Sequence, residues 1–583
     1  MRAIMVMYDS LNRNWLEPYG GSVATPNFTR LAQRAVCFCT NYANSLPCMP
    51  SRRELHTGRY NFLHRSWGPL EPFDDSMPEL LKQHGIYTHL ISDHRHYWED
   101  GGSTYHNRYS SWEVSRGQEG DPWKGVVEPE PARTAPFGCP DNPYVLPRAL
   151  RRCDSANRRY ITKNEEMPQV RTFDKGIEFM ETNRNADNWF LQIETFDPHE
   201  PFYVPEAPGE DVDWPPYYPV RETDATVDRV RARYEALLRI CDAQLGRVLD
   251  LMDAYEMWKD TMLIVNTDHG FLLGEHGWWG KSVMPLYEEL VHTPLFLYDP
   301  RFGPQGGTRK ALTQNIDLAP TLLEFFGVPI PERMCGKPLR HVLEEDHSSH
   351  DYALFGIHGG YVNITDGAQV YMLPPDTPDN QPCYEYTLLP THMASMFSKE
   401  ELRTAELVDG ADWNDGVPML RIRKPFRNAP SCPQRFGTML FDLKEDPGQT
   451  APLDDPQEEL WMLQLLQRAL REHDCPEEQY TRMGIPREPL TEEQFAQWKT
   501  RRQQPLAPGV LPDVQWETAA AAMWQVLNVL FPHREEALFR HLTEAAKKGT
   551  IKKQDMDLAI RLTFPPEERD EAVYYAELNG RTS

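Results

Sequence analysis

A chain of 583 residues is too long for one ordinary hydrophobic core, so the length predicts two or more packed units. Hydrophobic residues make up 40% and aromatic residues 11% of the sequence, which excludes a largely disordered protein. The 87 acidic residues outnumber the 61 Lys and Arg, and the net charge of −26 disfavours nucleic acid as a partner because both surfaces would be negative.

The pattern of the N-terminal segment predicts neither a secretion signal nor a membrane anchor. Its apolar run is about five residues long and ends at Asp9, which is shorter than the core of a signal peptide. No later window approaches the roughly 18 consecutive apolar residues of a membrane helix, so we predict no membrane partner and expect a cytoplasmic protein. The ten cysteines are scattered without a CxxC pair, which indicates reduced thiols rather than a disulfide framework.

The first three hundred residues alternate strand and helix patterns. Such alternation predicts a mostly parallel sheet with helices on both faces. Short apolar runs predict buried strands at 3–8, 86–92, 188–196, 261–267 and 294–298. Helical spacing of apolar residues predicts helices at 26–35, 76–85, 175–181 and 224–258.

The pattern changes beyond about residue 350. Segments 362–373 and 438–443 predict antiparallel strands, and the chain beyond them is mainly helical and charged, for example at 460–470 and 518–530. The helical extension shows no clear heptad seam, but it is a candidate for forming a homo-oligomer. We predict three domains: a large α/β domain at 1–350, a smaller antiparallel α+β domain at 351–455, and a helical C-terminal extension at 456–583.

Chemistry-bearing residues follow the predicted strands, at the edge where open α/β sheets place their ligands. Asp9 comes directly after the first strand, although an aspartate in that position is by itself more often a turn or helix-capping residue. In segment 46–59, Pro50 and Ser51 would begin a helix, and this places Cys48 over the positive helix N-terminus. Arg52 is a planar cation with several donors, suited to hold a nucleophile and a substrate oxygen together.

Two further segments offer a proton donor and metal ligands. His199 lies between two prolines after a strand, where an imidazole can transfer a proton to a leaving oxygen. Asp268 and His269 follow another strand, and a carboxylate and a neutral imidazole are ligands for a divalent metal. Lys281 stands thirteen positions after Asp268, and the alternative for it is a solvated loop charge.

These segments together resemble a known family. Cys-x-Pro-Ser-Arg at 48–52 followed by Thr-Gly-Arg at 57–59 resembles the sulfatase motif in which the cysteine is oxidised to formylglycine. His-Glu-Pro-Phe at 199–202 is similar to the His-x-Pro-Phe segment of sulfatases, and Lys281 matches the lysine that many sulfatases aim at the sulfate. The chain therefore resembles the sulfatase branch of the alkaline-phosphatase-like superfamily over roughly residues 1 to 450.

The resemblance implies a fold and a set of cofactors. The fold is an α/β sandwich of a large, mostly parallel sheet between helices, with a smaller antiparallel-sheet domain beside it, to which the strand and turn at 441–447 would belong. A formylglycine-generating enzyme would convert Cys48 to formylglycine, and the metal would be Ca²⁺, or Mg²⁺ or Mn²⁺ as in the phosphonate-cleaving branch. The implied metal ligands are Asp9, Cys48 after conversion, Asp268 and His269.

The resemblance also implies a mechanism. Hydrated formylglycine at position 48 presents two hydroxyls, one of which attacks sulfur while His199 protonates the departing alcohol oxygen. Lys281, Arg52 and the metal stabilise the charge on the transferred group. The second hydroxyl then loses its proton, and collapse to the aldehyde releases sulfate. We therefore expect a sulfuric ester hydrolase that acts on a sulfated sugar or another small sulfate ester.

The sequence departs from the family pattern in two places. Asp9 is followed by Ser10 where a second carboxylate is common, so Ser10, Asn12 or a water would have to replace one ligand. The usual Gly-Lys-x-His segment is absent after the next strand, and His94, Arg95 and His96 are the candidates there for contacting the substrate. Relatives that hydrolyse phosphonate monoesters and phosphodiesters also lack this lysine segment, so that activity is the alternative.

Two further alternatives have less support from the sequence. One is a binding protein without turnover, and the other is an enzyme that uses Cys48 as a thiol, although no dedicated base stands beside it. Segment 92–124 is expected to form a wall of the substrate pocket. Aromatic side chains that can stack on sugar rings, or simply pack between loops, are Trp98, Tyr105, Trp112, Trp123, Trp278 and Trp279.

Overall fold

The computed structural model describes most of the chain. The described residues are 1–127, 148–209, 212, 214–215, 224–282, 284–303, 306–376, 380–424 and 437–503.

Nineteen strands lie within the described residues. They are β1 (Arg2–Tyr8), β2 (Val36–Phe38), β3 (Asn41–Tyr42), β4 (Tyr87–Ser92), β5 (Ser111–Val114), β6 (Trp189–Glu194), β7 (Thr261–Thr267), β8 (Leu272–Leu273), β9 (Trp279–Gly280), β10 (Leu295–Tyr298), β11 (Gly307–Arg309), β12 (Thr313–Gln314), β13 (Ala353–Gly356), β14 (Val362–Thr365), β15 (Gln369–Leu373), β16 (Tyr384–Thr387), β17 (Glu406–Val408), β18 (Met419–Arg423) and β19 (Met439–Asp442).

Fourteen α-helices accompany these strands in the same described parts of the chain. They are α1 (Pro26–Ala32), α2 (Cys48–Thr57), α3 (Met77–Gln83), α4 (Ser103–His106), α5 (Arg148–Arg158), α6 (Pro168–Thr182), α7 (Asp224–Ala254), α8 (Glu288–Val291), α9 (Leu318–Phe326), α10 (Arg340–Glu345), α11 (Lys399–Leu402), α12 (Pro456–Glu472), α13 (Glu477–Met483) and α14 (Glu492–Gln503). None of them is both long and apolar enough to cross a membrane.

An eight-stranded sheet forms the centre of the molecule, in the order β11-β2-β10-β7-β1-β6-β4-β5. β10 runs antiparallel to both of its neighbours, and the other adjacent pairs are parallel. All seven residues of β1 are buried, as expected for a central parallel strand covered on both faces. The predicted mostly parallel sheet is therefore confirmed.

Helices cover both faces of this sheet, and β1 shows how the two faces are divided. Ile4, Val6 and Tyr8 pack in one hydrophobic cluster with side chains of α1, α6 and α7. The alternate residues Ala3 and Met5 pack in a second cluster with side chains of α2, α3 and α9. The two-residue period of the strand thus places every second side chain on the same face.

The chain after residue 350 forms two smaller antiparallel sheets, β13-β14-β15-β19 and β16-β18-β17. The four-stranded sheet packs against α12 through a shared cluster that includes Ile364, Tyr371 and Leu463. The confirmed fold is therefore a large α/β sandwich with smaller antiparallel sheets and helices α12 to α14 after them. The domain boundaries predicted from the sequence remain a prediction.

Several predicted elements differ from the structure in extent. The run 362–373 is a hairpin of two strands, because the chain turns at Gly367, whose φ of +91° favours glycine. The helix predicted at 175–181 extends over Pro168–Thr182, and the helix predicted at 224–258 ends at Ala254. The helix predicted at 518–530 lies outside the described residues.

Candidate active site

Four neighbouring parallel strands bring the predicted site residues to one edge of the central sheet. Asp9 follows β1, His94 follows β4, His199 follows β6, and Asp268 with His269 follows β7. β4, β6, β1 and β7 are consecutive and parallel, so their carboxyl ends lie side by side. This is the edge at which open α/β sheets bind ligands.

Cys48 is the first residue of α2, and its side chain is buried. The helix begins two residues earlier than Pro50 and Ser51 had indicated, since a proline is tolerated anywhere in the first turn. The Sγ atom of Cys48 lies 3.7 Å from Oδ1 of Asp9. The segment before α2 is fixed by Glu54, whose Oε2 accepts a 2.7 Å hydrogen bond from the backbone N–H of Ser45. Position 48 therefore lies at a helix N-terminus beside the end of β1.

Arg52 is fully buried one turn further along α2, where three carboxylates surround its guanidinium. Its three side-chain nitrogens lie 3.0 Å from Asp9 Oδ2, 2.7 Å from Glu194 Oε1 and 2.6 Å from Asp268 Oδ2. Nη1 also donates a 2.9 Å hydrogen bond to the carbonyl of Cys48. These contacts tie the nucleophile position to the ends of three strands, so Arg52 positions the site in addition to any contact with substrate.

Four side chains converge as a candidate metal site: Asp9, Cys48, Asp268 and His269. One ligand atom from each lies within 4.8 Å of all the others, and all four residues are buried. The Nδ1 atom of His269 is 2.8 Å from the carbonyl of Gly270, which leaves Nε2 as the ligating nitrogen. This Nε2 is buried without a hydrogen-bond partner among the described residues. Burial and the charge of Lys281 lower the pKa of His269 to about 3, so the ring is neutral and able to ligate.

The charges around this cluster also fit a bound cation. The buried carboxylates of Asp9, Asp268, Glu194 and Glu200 exceed in number the buried cations Arg52 and Lys281. Although burial works in the opposite direction, Lys281 and Arg52 hold the pKa of Asp9 well below its usual range. Burial and the charge of Asp9 raise the pKa of Asp268 well above its usual range. A divalent cation would relieve this excess of negative charge.

Lys281 reaches the site from the loop after β9 and is buried, not a solvated loop charge. Its Nζ donates a 2.9 Å hydrogen bond to Ser10 Oγ and lies 3.6 Å from Asp9 Oδ1. Burial opposes its charge, yet the neighbouring carboxylates of Glu200 and Asp9 raise its pKa above the ordinary value. The structure therefore brings a charged ammonium group to the nucleophile position.

His199 lies near the same carboxylate oxygen that Lys281 approaches, with its Nε2 4.0 Å from Asp9 Oδ1. Its Nδ1 is 2.6 Å from the carbonyl oxygen of Glu200, so Nδ1–H is the donor there and Nε2 is left for chemistry. Burial and the charge of Lys281 hold the pKa of His199 well below its usual range.

The two histidines after β4 occupy different places. Nε2 of the buried His94 lies 3.4 Å from Asp9 Oδ2, which adds His94 to the cluster. His96 bonds through Nδ1 to Glu99, and its ring centre lies 5.2 Å from that of His94. His94 is thus the histidine of this pair that contacts a candidate metal ligand, Asp9. His96 packs against the ring of His94 and bonds to Glu99.

The two residues suggested as replacements for the second carboxylate, Ser10 and Asn12, make different contacts. Ser10 Oγ donates to Asp9 Oδ1 at 2.8 Å and accepts from Lys281. Both ends of the Asn12 amide are engaged elsewhere, with the carbonyl of Phe271 and the backbone N–H of Asn14. Asn12 therefore serves the local turn.

Two carboxylates of the site were not identified from the sequence. Glu194 ends the buried strand β6, and a charged residue in an otherwise buried strand was the signal that could have singled it out. Glu200 stands within the segment already singled out for His199, but nothing in its type or position shows which way its side chain turns. Glu194 contacts Arg52 of α2 and Glu200 contacts Lys281 of the loop after β9, so both depend on contacts between residues that are far apart in sequence.

The aromatic residues proposed to stack on sugar rings differ in their exposure. Trp98 and Trp112 are 45% and 39% exposed, whereas Tyr105 and Trp279 are buried in the two sheet-covering clusters. Trp98 is the last residue of the turn that follows His94, and the rings of Trp98 and Trp112 both pack against His106.

Comparisons with known proteins show which family the chain is similar to. The family model described as Sulfatase matches residues 2–328, more than half of the chain. Arylsulfatase K of Xenopus laevis is 23% identical over 426 residues, covering 64% of this chain and 72% of that protein. N-acetylglucosamine-6-O-sulfatase of Bacteroides thetaiotaomicron is 26% identical over 411 residues, covering 59% of this chain and 71% of that protein.

Solved structures with the same fold include proteins of two activities. BT4656, in complex with its substrate D-glucosamine-2-N,6-O-disulfate, superposes with a TM-score of 0.54 at 17% identity, covering 82% of this chain and 98% of that one. The phosphonate monoester hydrolase SpPMH from Silicibacter pomeroyi gives a TM-score of 0.55 at 20% identity, covering 81% and 95%. At these identities the likeness shows the shared fold.

Proposed function

The chain belongs to the sulfatase family of sulfuric ester hydrolases, and from this membership we propose that it cleaves a sulfate ester of a saccharide, using formylglycine derived from Cys48 and a divalent cation. The observation that carries the proposal is the buried cluster of Asp9, Cys48, Asp268 and His269 at the carboxyl edge of the sheet. The nucleophile position and the metal ligands meet there, beside Lys281 and His199.

Formylglycine fits position 48 better than a free thiolate. Burial and the charge of Asp9 raise the pKa of Cys48 well above its ordinary value, so the thiol stays protonated and is a poor nucleophile. A hydrated aldehyde supplies two hydroxyl groups, one to attack sulfur and one whose deprotonation releases the sulfate. Conversion of Cys48 to formylglycine would require a formylglycine-generating enzyme as partner.

Asp9, Asp268, His269 and the oxygen of the converted residue 48 would hold the cation. When bound, a divalent cation supplies Lewis acidity that favours an anionic nucleophile and offsets charge on the substrate. Calcium is the proposed ion because most of these ligands are oxygens, and magnesium or manganese is the alternative. Arg52 keeps the carboxylates of Asp9 and Asp268 in place through its contacts with both.

Lys281 and His199 have separate roles in the proposed reaction. The Lys281 ammonium group lies where it can bind a sulfate oxygen beside residue 48 and stabilise charge on the transferred group. His199 presents Nε2 towards the same centre, because its Nδ1 is bound to the Glu200 carbonyl. Because Nδ1 already carries the proton donated to the Glu200 carbonyl, His199 would act as the acid in its imidazolium form and give a second proton, on Nε2, to the departing alcohol oxygen. Burial and Lys281 lower the pKa of His199 and oppose this charged form, whereas Asp9 and the Glu200 carbonyl favour it.

His199→Gln is expected to lower kcat about 10²- to 10⁴-fold for an alkyl or sugar sulfate, because an alkoxide needs a proton as it leaves. The loss with 4-nitrophenyl sulfate should be much smaller, since nitrophenolate leaves without one. Steady-state rates on both substrates measure the difference. His341→Gln, which changes an exposed histidine, is the matched control. Equal losses on both substrates would show that His199 is not the proton donor.

A sulfated saccharide is the proposed substrate class. Its support is the activity of the relatives, which include an N-acetylglucosamine-6-O-sulfatase and an iduronate 2-sulfatase of Mus musculus. The half-exposed Trp98 near His94 adds an aromatic face of the kind on which sugar rings stack.

Hydrolysis of phosphonate monoesters or phosphodiesters is the second candidate. The chain lacks the Gly-Lys-x-His segment after β4 and has His94 at the site instead, beside Asp9. These substrates carry one negative charge, as a sulfate ester does, so the same cations can bind them. The ratio of kcat/KM for 4-nitrophenyl sulfate and 4-nitrophenyl phenylphosphonate separates the two activities.

Peptide mass spectrometry of the protein co-expressed with a formylglycine-generating enzyme tests the proposal directly. The peptide that carries Cys48 is expected to lose mass on conversion to the aldehyde, and the converted protein should release sulfate from a sulfated saccharide. Peptides carrying Cys37 and Cys241, which are also buried, serve as controls and should keep their thiols. A Cys48 peptide that stays a thiol in an active preparation would overturn the formylglycine mechanism.

A further inference from the structure

Glu200 places a buried negative charge between the two groups that would contact the substrate. It is 2% exposed, and its Oε2 lies 3.4 Å from Lys281 Nζ and 3.1 Å from His199 Nδ1. The proposed mechanism assigns it no step, because it neither supplies the nucleophile nor belongs to the metal-ligand cluster. A buried carboxylate at this position must nevertheless affect every anion that approaches Lys281.

The effect of this charge depends on the charge of the ligand. A sulfate ester carries one negative charge, whereas a phosphate monoester carries about 1.5 to 2 at pH 7. Inorganic sulfate, the product of the reaction, is also a dianion. Repulsion from a fixed carboxylate grows with ligand charge, and burial strengthens it because little water screens the pair.

We propose that Glu200 is a specificity-determining residue that selects monoanionic esters over dianionic ones and promotes release of the dianionic product. This inference rests on the proposed function, since it concerns the same site. Glu200 offsets part of the positive charge of Lys281, so the pocket retains enough attraction for a monoanion and too little for a dianion.

The charge of Glu200 can be tested apart from its hydrogen bond with His199, because the backbone of Glu200 makes that bond. The carbonyl oxygen of the same residue accepts the hydrogen bond from His199 Nδ1, at 2.6 Å. A Glu200→Gln substitution removes the charge but keeps that carbonyl and a side chain of nearly the same shape. A change in anion preference would therefore report the charge.

The experiment compares wild type and Glu200→Gln as converted, metal-loaded enzymes. We expect E200Q to shift the ratio of kcat/KM for 4-nitrophenyl phosphate over 4-nitrophenyl sulfate upwards by about tenfold or more. The competitive inhibition constant of inorganic sulfate should fall about tenfold relative to that of methanesulfonate, a monoanion of similar shape. A purely structural role would weaken both anions together.

Two variants serve as controls. Glu200→Asp keeps the charge and should keep the wild-type preference, and Glu181→Gln removes an exposed carboxylate of α6 and should change neither ratio. An E200Q enzyme with both ratios within about twofold of wild type would overturn the inference.

A measurement on the wild-type protein keeps the inference testable if E200Q does not fold. Wild type is expected to bind methanesulfonate at least as tightly as inorganic sulfate, and a clear preference for the dianion would contradict the proposed selection. If the proposed function were wrong, wild type would hydrolyse no sulfate ester. The affinities for methanesulfonate and inorganic sulfate could still be compared by calorimetry, so the two failures are distinguishable.

Discussion

Cys48→Ala is expected to abolish hydrolysis of sulfate esters, with kcat/KM falling by at least about 10⁴-fold. Cys48 is the residue of the buried cluster from which the proposed nucleophile is made, and its neighbours Asp9, Asp268 and His269 are assigned to the cation. Initial rates with an aryl sulfate and sulfate release from a sulfated saccharide measure the loss. The decline should be in kcat, because Lys281 and the other groups that bind the anion remain in place.

The matched control for this prediction is Cys37→Ala. Cys37 is also buried, but it lies in β2 and its side chain packs in a hydrophobic cluster. Replacing either small thiol with alanine should change the free energy of unfolding only modestly, by about 1 kcal/mol. Loss of activity in Cys48→Ala with normal activity in Cys37→Ala would assign the effect to chemistry. A Cys48→Ala enzyme that keeps more than about a hundredth of wild-type activity would rule out residue 48 as the nucleophile.

The sequence predicted the central strands because burial on both faces leaves a continuous apolar run. β1, β6 and β7 are of this kind, and each is followed by residues of the site. The position of these residues at strand ends then predicted that they would meet, since parallel strands share one carboxyl edge. The strand predicted at 294–298 is β10, but its antiparallel pairing on both sides depends on contacts that no local pattern encodes.

The site was predictable where a motif fixes the chemistry and unpredictable where a side chain's direction decides it. Asp9, Cys48, Asp268 and His269 were named from the sequence, and the structure places them together. Glu194 and Glu200 were missed because their contacts depend on how α2, β6 and the loop after β9 pack against one another. Arg52 was identified, but its contacts with three carboxylates became visible only in the fold.

Those contacts make Arg52→Met the substitution with the largest expected effect on stability. It would leave Asp9, Glu194 and Asp268 buried without the cation that they share, which typically costs about 3 to 5 kcal/mol of unfolding free energy. Sulfatase activity should be lost as well, because Asp9 and Asp268 would no longer be held in place. Urea unfolding followed by circular dichroism measures the first effect, and sulfate release measures the second.

The pH dependence of the stability loss in Arg52→Met distinguishes a lost charge interaction from lost packing. Without Arg52, the pKa of Asp268, already raised by burial and by Asp9, should rise further in the folded state. A carboxyl group whose pKa is raised on folding takes up a proton more readily when folded, so its destabilising effect shrinks as the pH falls. The stability gap between Arg52→Met and wild type should therefore be larger at pH 8 than at pH 5. Arg53→Met provides the comparison, because Arg53 is also buried in α2 but, among the described residues, forms its ion pair with one carboxylate, Asp74, at 2.8 and 2.9 Å. If Arg52→Met loses no more stability than Arg53→Met and its gap does not change with pH, the three-carboxylate contact is not what holds this site together.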